Sequence, residues 1–368
     1  MHPQKSHAGA VLTIDLNALR ANYRLLRQQA GSAACAAVLK ANAYGLGADR
    51  VAPALAAEGC RHFFVAHLDE AIALRPHLPP PAEIFVLHGV PPGAEKECIV
   101  HQLIPVLNSL QQIQAWHALA LEMGQALPAI VQVDTGMSRM GLSPVEVEAW
   151  LDNSAFMKSI QLLYVMSHLA CAEHQDHPMN GTQLARFNAL RQRLPNVAAS
   201  LANSSGIFLG PDFQFDLVRP GAALYGIAPV AGAANPLQPV ASLQGRILQT
   251  RLIERGDHVG YGSRYSASEQ RRIATVSVGY ADGWLRSMSH RGVAFIDGVA
   301  VPMVGTISMD SITLDVSAIA AERLYAGAAV DLICAQHPVD AVAELAGTIG
   351  YEVLTSLGNR YYREYVGG

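Results

Sequence analysis

Eight short apolar runs, at 35–39, 63–66, 84–88, 104–107, 129–133, 162–166, 197–202 and 217–224, recur along the first two thirds of the chain. Stretches with helical spacing of apolar residues separate most of them, at 49–58, 69–74, 109–123, 144–151 and 181–194. No other feature restricts the fold as strongly. Runs that are apolar on every position suit strands covered on both faces, and parallel strands need a crossover, usually a helix, between them. Eight such units over roughly 220 residues fit a (β/α)8 barrel, whose usual length is about 250. A doubly wound open sheet is the alternative. No Gly-x-Gly-x-x-Gly follows an early strand, so a dinucleotide site has nothing to rest on.

Ahead of the barrel, 11–15 reads as a short strand, and Leu16, Leu19, Tyr23 and Leu26 follow at helical spacing with Asp15 or Asn17 placed to cap. Near Ala231-Gly-Ala-Ala-Asn-Pro236 the pattern changes. Beyond it, β-branched segments at 240–253, 272–278, 293–296, 303–316 and 330–333 are divided by Gly-Asp and Asp-Gly turns, with one helix at 339–346. The expected fold is therefore α/β: a TIM-type (β/α)8 barrel over 1–235, followed by a mainly β carboxy-terminal domain over 236–368. The residues up to about 14 are available to pair with the second domain.

With 368 residues, 51% of them hydrophobic, the chain has material for two cores. A formal net charge of −4 without clustered basic residues argues against a nucleic-acid surface. No apolar run approaches the roughly 20 residues a membrane span needs, and the polar start Met1-His-Pro-Gln-Lys-Ser-His lacks the apolar core of a secretory signal. Five scattered cysteines suit a reducing compartment, so a cytoplasmic location is expected.

Chemistry enters at Cys35-Ala-Ala-Val-Leu-Lys40-Ala-Asn-Ala-Tyr44-Gly-Leu-Gly47, which reads as a buried strand ending on a lysine. Of the four lysines, Lys5, Lys96 and Lys158 lie in polar surroundings, and Lys40 alone is delivered by a hydrophobic element. An amine held at an apolar strand end tends to lose its proton more easily, and a neutral amine condenses with a carbonyl to form a Schiff base. A lysine snorkelling along the core rim would look the same locally. In a barrel, phosphates often bind after strands seven and eight. There Ala202-Asn203-Ser204-Ser205-Gly206 can begin a helix and offer a hydroxyl and free N–H groups, and Arg219-Pro-Gly221-Ala222 permits close backbone approach. His168, with Glu173, His174, Asp176 and His177 beyond it, matches no standard ligand spacing, so no metal is expected.

The words Ala-Val-Leu-Lys40-Ala-Asn-Ala-Tyr44-Gly-Leu-Gly closely resemble the cofactor-lysine motif of the alanine racemases, which carry pyridoxal 5'-phosphate. The likeness continues along nearly the whole chain. It implies that Lys40 binds the cofactor, that Tyr44, Asn203, Ser204, Gly221, Ala222 and Tyr351 surround its phosphate, that His168 packs beside its ring, and that Arg219 contacts the ring nitrogen. An arginine there does not readily give up a proton, so the ring is a weaker electron sink and transamination is limited. Racemisation at Cα needs a base on each face of a planar carbanion. Gly260-Tyr261-Gly262-Ser-Arg-Tyr265 resembles the segment that supplies the second base, Tyr261, across a homodimer interface. An isolated phenol has a pKa near 10, so its neighbours must favour proton transfer.

Val278-Gly-Tyr280-Ala-Asp-Gly-Trp284 and Gly305-Thr-Ile-Ser-Met309-Asp310 are further family segments, which place Tyr280 near the entrance and Met309 and Asp310 beside the substrate. Asp134-Thr-Gly-Met-Ser-Arg139 carries the family arginine that approaches the substrate carboxylate. Many members have a carbamylated lysine seven residues before it, where this chain has Gln132. Glutamine cannot be carbamylated, so the amide, an anion or another carboxylate must hold Arg139. The implied function is two-base α-proton transfer between L- and D-alanine on a pyridoxal-phosphate Schiff base, supplying D-alanine for peptidoglycan. A racemase of serine or of broad specificity is the nearest alternative. A decarboxylase on the same plan and a non-catalytic cofactor carrier are more distant ones.

Overall fold

The computed structural model describes residues 4–194 and 196–368. They form two compact units: Leu19–Leu237, and Gln238–Gly368 together with the described residues up to Ala18. Strand β1 (Ala10–Asp15) belongs to the latter unit, and Asp15 caps the helix that follows by accepting from the Asn17 and Ala18 N–H groups.

In the Leu19–Leu237 unit, β2 (Ala34–Cys35) and β3 (Ala37–Val38) are one strand broken at Ala36. Then come β4 (His62–Val65), β5 (Glu83–Val86), β6 (Leu103–Leu107), β7 (Leu127–Gln132), β8 (Ile160–Met166), β9 (Ala198–Ser200) and β10 (Leu217–Val218). Neighbours from β3 to β9 pair in parallel in sequence order, and β10 pairs in parallel with β2. The Asp216 N–H to Ala199 carbonyl bond, the Arg219 N–H to Ala202 carbonyl bond and a parallel bridge between Asn203 and Arg219 close the ring. The result is the expected eight-stranded parallel barrel. One layer inside it runs through register partners Val38, Phe64, Phe85 and Ile104, and the Phe64 and Phe85 rings stack 4.6 Å apart. Val106, Ile130, Met166 and Leu217 join the same core, so the barrel interior is packed rather than open.

The second unit is built on the long strand β11 (Ala241–Ile253). It is followed by β12 (His258–Val259), β13 (Tyr265–Ser266), β14 (Arg271–Val276), β15 (Val293–Ile296), β16 (Val299–Pro302), β17 (Ile312–Asp315), β18 (Ala329–Ile333) and β19 (Tyr362–Val366). The order β16-β15-β18-β11-β1-β19 makes one sheet, with β14 and β17 continuing from β11 beyond a register shift between Ile247 and Gln249. All these pairings are antiparallel except β1 with β19. This is the mainly β domain expected.

Several boundaries depart from the sequence reading. The run at 217–224 is a strand only at Leu217–Val218, because Pro220 lacks a donor for the ladder and Ala222–Tyr225 then coils into a 3-10 turn. Asn203-Ser-Ser-Gly leads into another short 3-10 turn, Gly206–Leu209, not into an α-helix. Of 303–316 only Ile312–Asp315 is a strand, since Gly305 (φ 74°) turns the backbone. The helix Glu95–Val100, whose apolar spacing is weak, and the helix Gly350–Ser356 lie outside the segments read as helical. Among the described residues no helix is long and apolar enough to cross a membrane.

Candidate active site

Because the eight strands are parallel, the segments that leave their carboxyl ends share one mouth. Lys40 stands there, but not as the last residue of a strand. β3 stops at Val38, and Ala41, Asn42, Ala43 and Tyr44 all take left-handed conformations, with φ between 53° and 55°. Four such residues cost roughly 4–8 kcal/mol at about 1–2 kcal/mol each. Compensation is local and abundant. The Ala43 N–H donates to the Leu39 carbonyl and the Gly45 N–H to the Ala41 carbonyl, each at 2.8 Å, while Asn42 Oδ1 accepts from the Ala48 N–H at 2.8 Å. Ala43, Tyr44 and Leu46 are buried beneath the turn. Burial lowers the pKa of Lys40, and Arg139 lowers it further, against the opposing charge of Glu70.

Arg219 follows β10 and is 4% exposed. Its terminal nitrogens donate to the Ser200 hydroxyl, to the Ser167 carbonyl at 2.7 Å and to the Leu201 carbonyl at 3.4 Å. One of them also lies 3.4 Å from Nδ1 of His168. Burial brings the guanidinium down to about 9, so it keeps its proton at neutral pH. The His168 ring is pushed down to about 3 by desolvation and by Arg219, Arg139 and Lys40, and is therefore neutral. A network holds this segment from behind: Gln183 donates to the His168 carbonyl at 2.8 Å and to Thr135 Oγ1 at 3.1 Å, and Thr135 Oγ1 lies 2.8 Å from the Ser167 hydroxyl. Asp134 Oδ1 accepts from the N–H groups of Gly136, Met137 and Ser138, which shapes the loop leading to Arg139. Arg139 is exposed; among the described residues it pairs with no carboxylate, and the Gln132 side-chain amide makes no hydrogen bond.

Between β9 and β10 lies an anion cradle. The buried Ser204 hydroxyl oxygen accepts from the Gly221 N–H at 2.9 Å and the Ala223 N–H at 3.2 Å. Gly221 has to be glycine here: a Cβ would overlap the Tyr44 hydroxyl and stand 3.2 Å from its Cζ. Tyr44 itself packs 4.8 Å from the ring of Tyr225, whose hydroxyl donates to the Val38 carbonyl at 3.1 Å. Ala222 opens the turn beside Gly221. The Asn203 amide is occupied within the loop, accepting from the Gly206 N–H at 2.9 Å and donating to the Leu169 carbonyl at 3.4 Å. A deprotonatable amine, a phenol, and a serine hydroxyl on which two backbone N–H groups converge together fit a ligand with an aldehyde at one end and a phosphate at the other.

The other predicted residues belong to the β unit. Tyr261 sits on a 3-10 turn between Gly260 (φ 74°) and Gly262 (φ 73°) and is 75% exposed. With Arg251, His258, Thr306, Met309 and Asp310 it lines a groove of about 870 Å³. Tyr280 is laced to the same wall, its N–H donating to the Ser308 carbonyl and the Ala281 N–H to the Met309 carbonyl, both at 3.0 Å. Arg360, which no motif singled out, ties the two segments: Nε lies 2.8 Å from the buried Asp282 and Nη1 2.8 Å from Asp310. Tyr351 is the second residue of the helix Gly350–Ser356. Arg360, Glu70 and Gln183 are functional candidates that local sequence could not reveal, since each acts through a partner distant in the chain.

Comparison with known proteins decides the family. Residues 14–229 match the alanine racemase N-terminal domain, and 240–365 match the alanine racemase C-terminal domain. The chain belongs to the alanine racemase family. It is 53% identical to the catabolic alanine racemase of Mesorhizobium japonicum over 98% of this chain and 94% of that protein. Identity to the alanine racemase of Brucella abortus is 48%, again over 98% of this chain and 94% of the other. The crystal structure of alanine racemase from Bartonella henselae with covalently bound pyridoxal phosphate superposes with a TM-score of 0.94 at 44% identity, covering 98% of this chain and all of that one.

Proposed function

We propose that this chain interconverts L- and D-alanine with pyridoxal phosphate held at Lys40. The observation that carries the proposal is the pairing of a half-buried amine of lowered pKa with the Ser204–Gly221 cradle at one barrel mouth. When bound, pyridoxal phosphate supplies the electron sink that makes the α-proton of an amino acid removable. Lys40, neutral at lower pH than an ordinary lysine, can condense with the aldehyde and afterwards carry a proton on one face. Ser204, the Gly221 and Ala222 backbone and the Tyr44 hydroxyl hold the phosphate. Arg219 has committed its terminal nitrogens to protein acceptors, which leaves its Nε–H as a fixed donor that does not yield its proton to a ring nitrogen. Neutral His168 packs beside the ring without adding charge.

Arg139, which pairs with no carboxylate among the described residues, is suited to a substrate carboxylate, and Gln132 stands at the position that carries the carbamate in many members. Tyr261 serves the second face from another copy of the chain, together with Met309 and Asp310, while Tyr280 borders the entrance. Exposure of 75% for Tyr261 and 53% for Met309 supports this, because large side chains left so open on a groove suit an interface. Replacing Gly221 by alanine is expected to cost about 1–3 kcal/mol of cofactor affinity, roughly 5- to 150-fold in Kd, because the Tyr44 hydroxyl must give way. Titrating apo-protein with pyridoxal phosphate measures it, and unchanged affinity would remove the cradle from the account.

The deciding experiment follows the optical rotation of L-alanine with purified protein, with and without added pyridoxal phosphate. Decay to zero establishes racemisation. Persistent rotation in protein that carries the cofactor rules out alanine and directs the test to serine and other amino acids. D-alanine supply for peptidoglycan is the proposed use. The relatives from Mesorhizobium japonicum and Agrobacterium fabrum, 53% and 49% identical and both named catabolic, favour a second reading in which alanine is a nutrient. A deletion strain that needs D-alanine supports the first use, and one that fails only on alanine as carbon source supports the second.

A further inference from the structure

One side chain that no motif points to bonds the backbone of the lysine-bearing turn and, with its other oxygen, the backbone at the end of β4. Glu70 is the third residue of the helix Leu68–Leu74 and is half-buried. Its Oε2 accepts from the Ala66 N–H at 2.8 Å and the His67 N–H at 3.1 Å, an ordinary helix cap. Its Oε1 accepts from the Ala41 N–H at 2.6 Å, the first amide after Lys40 and the first residue of the left-handed turn. Three backbone donors on one carboxylate, one of them 29 residues away in the chain, exceed what capping requires. Charge-assisted bonds of this kind are about twice as strong as neutral ones.

We propose that Glu70 is a positioning residue for Lys40: its carboxylate clamps the costly left-handed turn to the end of β4 and so fixes where the amine stands in the barrel mouth. The same charge also works against the depression of the Lys40 pKa. The proposal rests on Lys40 being the cofactor lysine, and it names the part that holds that lysine in place.

A glutamine at this position is nearly isosteric but cannot accept on both ends, so either the Ala41 N–H or the two cap donors must face an NH2 group. Capture of pyridoxal phosphate by apo-protein, in which the amine nitrogen forms C=N with the aldehyde carbon and the aldehyde oxygen leaves as water, reads the geometry directly. For Glu70→Gln the high-pH plateau of the capture rate is expected to fall roughly 10- to 100-fold, as for a misplaced reacting group. The pH midpoint is expected to move lower, because the charge favouring protonated Lys40 is gone. Glu70→Asp, which keeps the charge but lacks the reach, should restore the midpoint and leave the plateau low. Glu146→Gln serves as the control for a lost cap, since Glu146 accepts from the Ser143 and Leu110 N–H groups away from Lys40. It should lower Tm without changing plateau or midpoint.

An unchanged plateau and midpoint in folded Glu70→Gln protein overturns the clamp, as does a plateau that falls equally in Glu146→Gln. If Glu70→Gln does not fold, Glu70→Asp decides alone, and a wild-type plateau in it refutes the proposal. A wild type that captures the aldehyde but leaves alanine optically active defeats the racemase assignment and not the clamp. A wild type that captures nothing overturns both.

Discussion

Replacing Lys40 by alanine is expected to abolish the visible absorption of protein-bound pyridoxal phosphate and to reduce racemisation by about 10⁴-fold or more. Proton transfer by a positioned base is alone worth roughly 10²–10⁴-fold, and the covalent anchor is lost with it. The substitution should leave the fold intact. The Lys40 amine makes no hydrogen bond among the described residues, its charge is disfavoured by burial, and the turn that follows is held by backbone bonds and by Glu70. Absorbance after gel filtration in the presence of excess cofactor, with a melting curve as control, measures both. A variant that keeps full activity would end the assignment of Lys40.

The second large effect concerns Tyr261. Enantiomers have equal free energies, so a defect in either half of a two-base racemisation must lower kcat/KM equally in the two directions. Tyr261→Phe should therefore reduce racemisation of L- and D-alanine alike, by roughly 10²–10⁴-fold. Asymmetry is expected elsewhere: solvent deuterium should still enter Cα of the enantiomer whose proton Lys40 removes, at close to the wild-type rate, while exchange into the other collapses. Mass spectrometry of the recovered alanine in D₂O reads both. Small and equal losses of exchange would show that the tyrosine is not a base. Stability should be unaffected, because the side chain is 75% exposed and its hydroxyl makes no hydrogen bond among the described residues, while the Tyr261 carbonyl accepts from Thr306 Oγ1 at 3.3 Å.

The barrel was legible because parallel strands buried on both faces leave continuous apolar runs, and all eight of the runs found contribute a barrel strand. The helix read at 144–151 begins at Pro144 and ends at Leu151, and in the structure Ser143 and Glu146 cap its start. At 217–224 the same reasoning overran, since apolar composition alone does not separate a strand from the 3-10 turn after Pro220. Segments with weak periodicity, such as Glu95–Val100, escaped for lack of signal.

The sequence by itself determined the alternation of elements, the isolation of Lys40 among four lysines, and the family segments that contain Tyr261 and Arg219. Those depend on residue type and near-neighbour spacing, which a chain carries before it folds. Only tertiary structure decided that Lys40 stands on a left-handed turn, that Glu70 grips the amide beside it, that Gly221 makes room for the Tyr44 hydroxyl, and that burial, with the Arg219 charge alongside, holds His168 neutral. The last three are contacts between residues tens to hundreds of positions apart, and the turn is held by one of them; their energy comes from burial and directed hydrogen bonds that exist only once the barrel has closed.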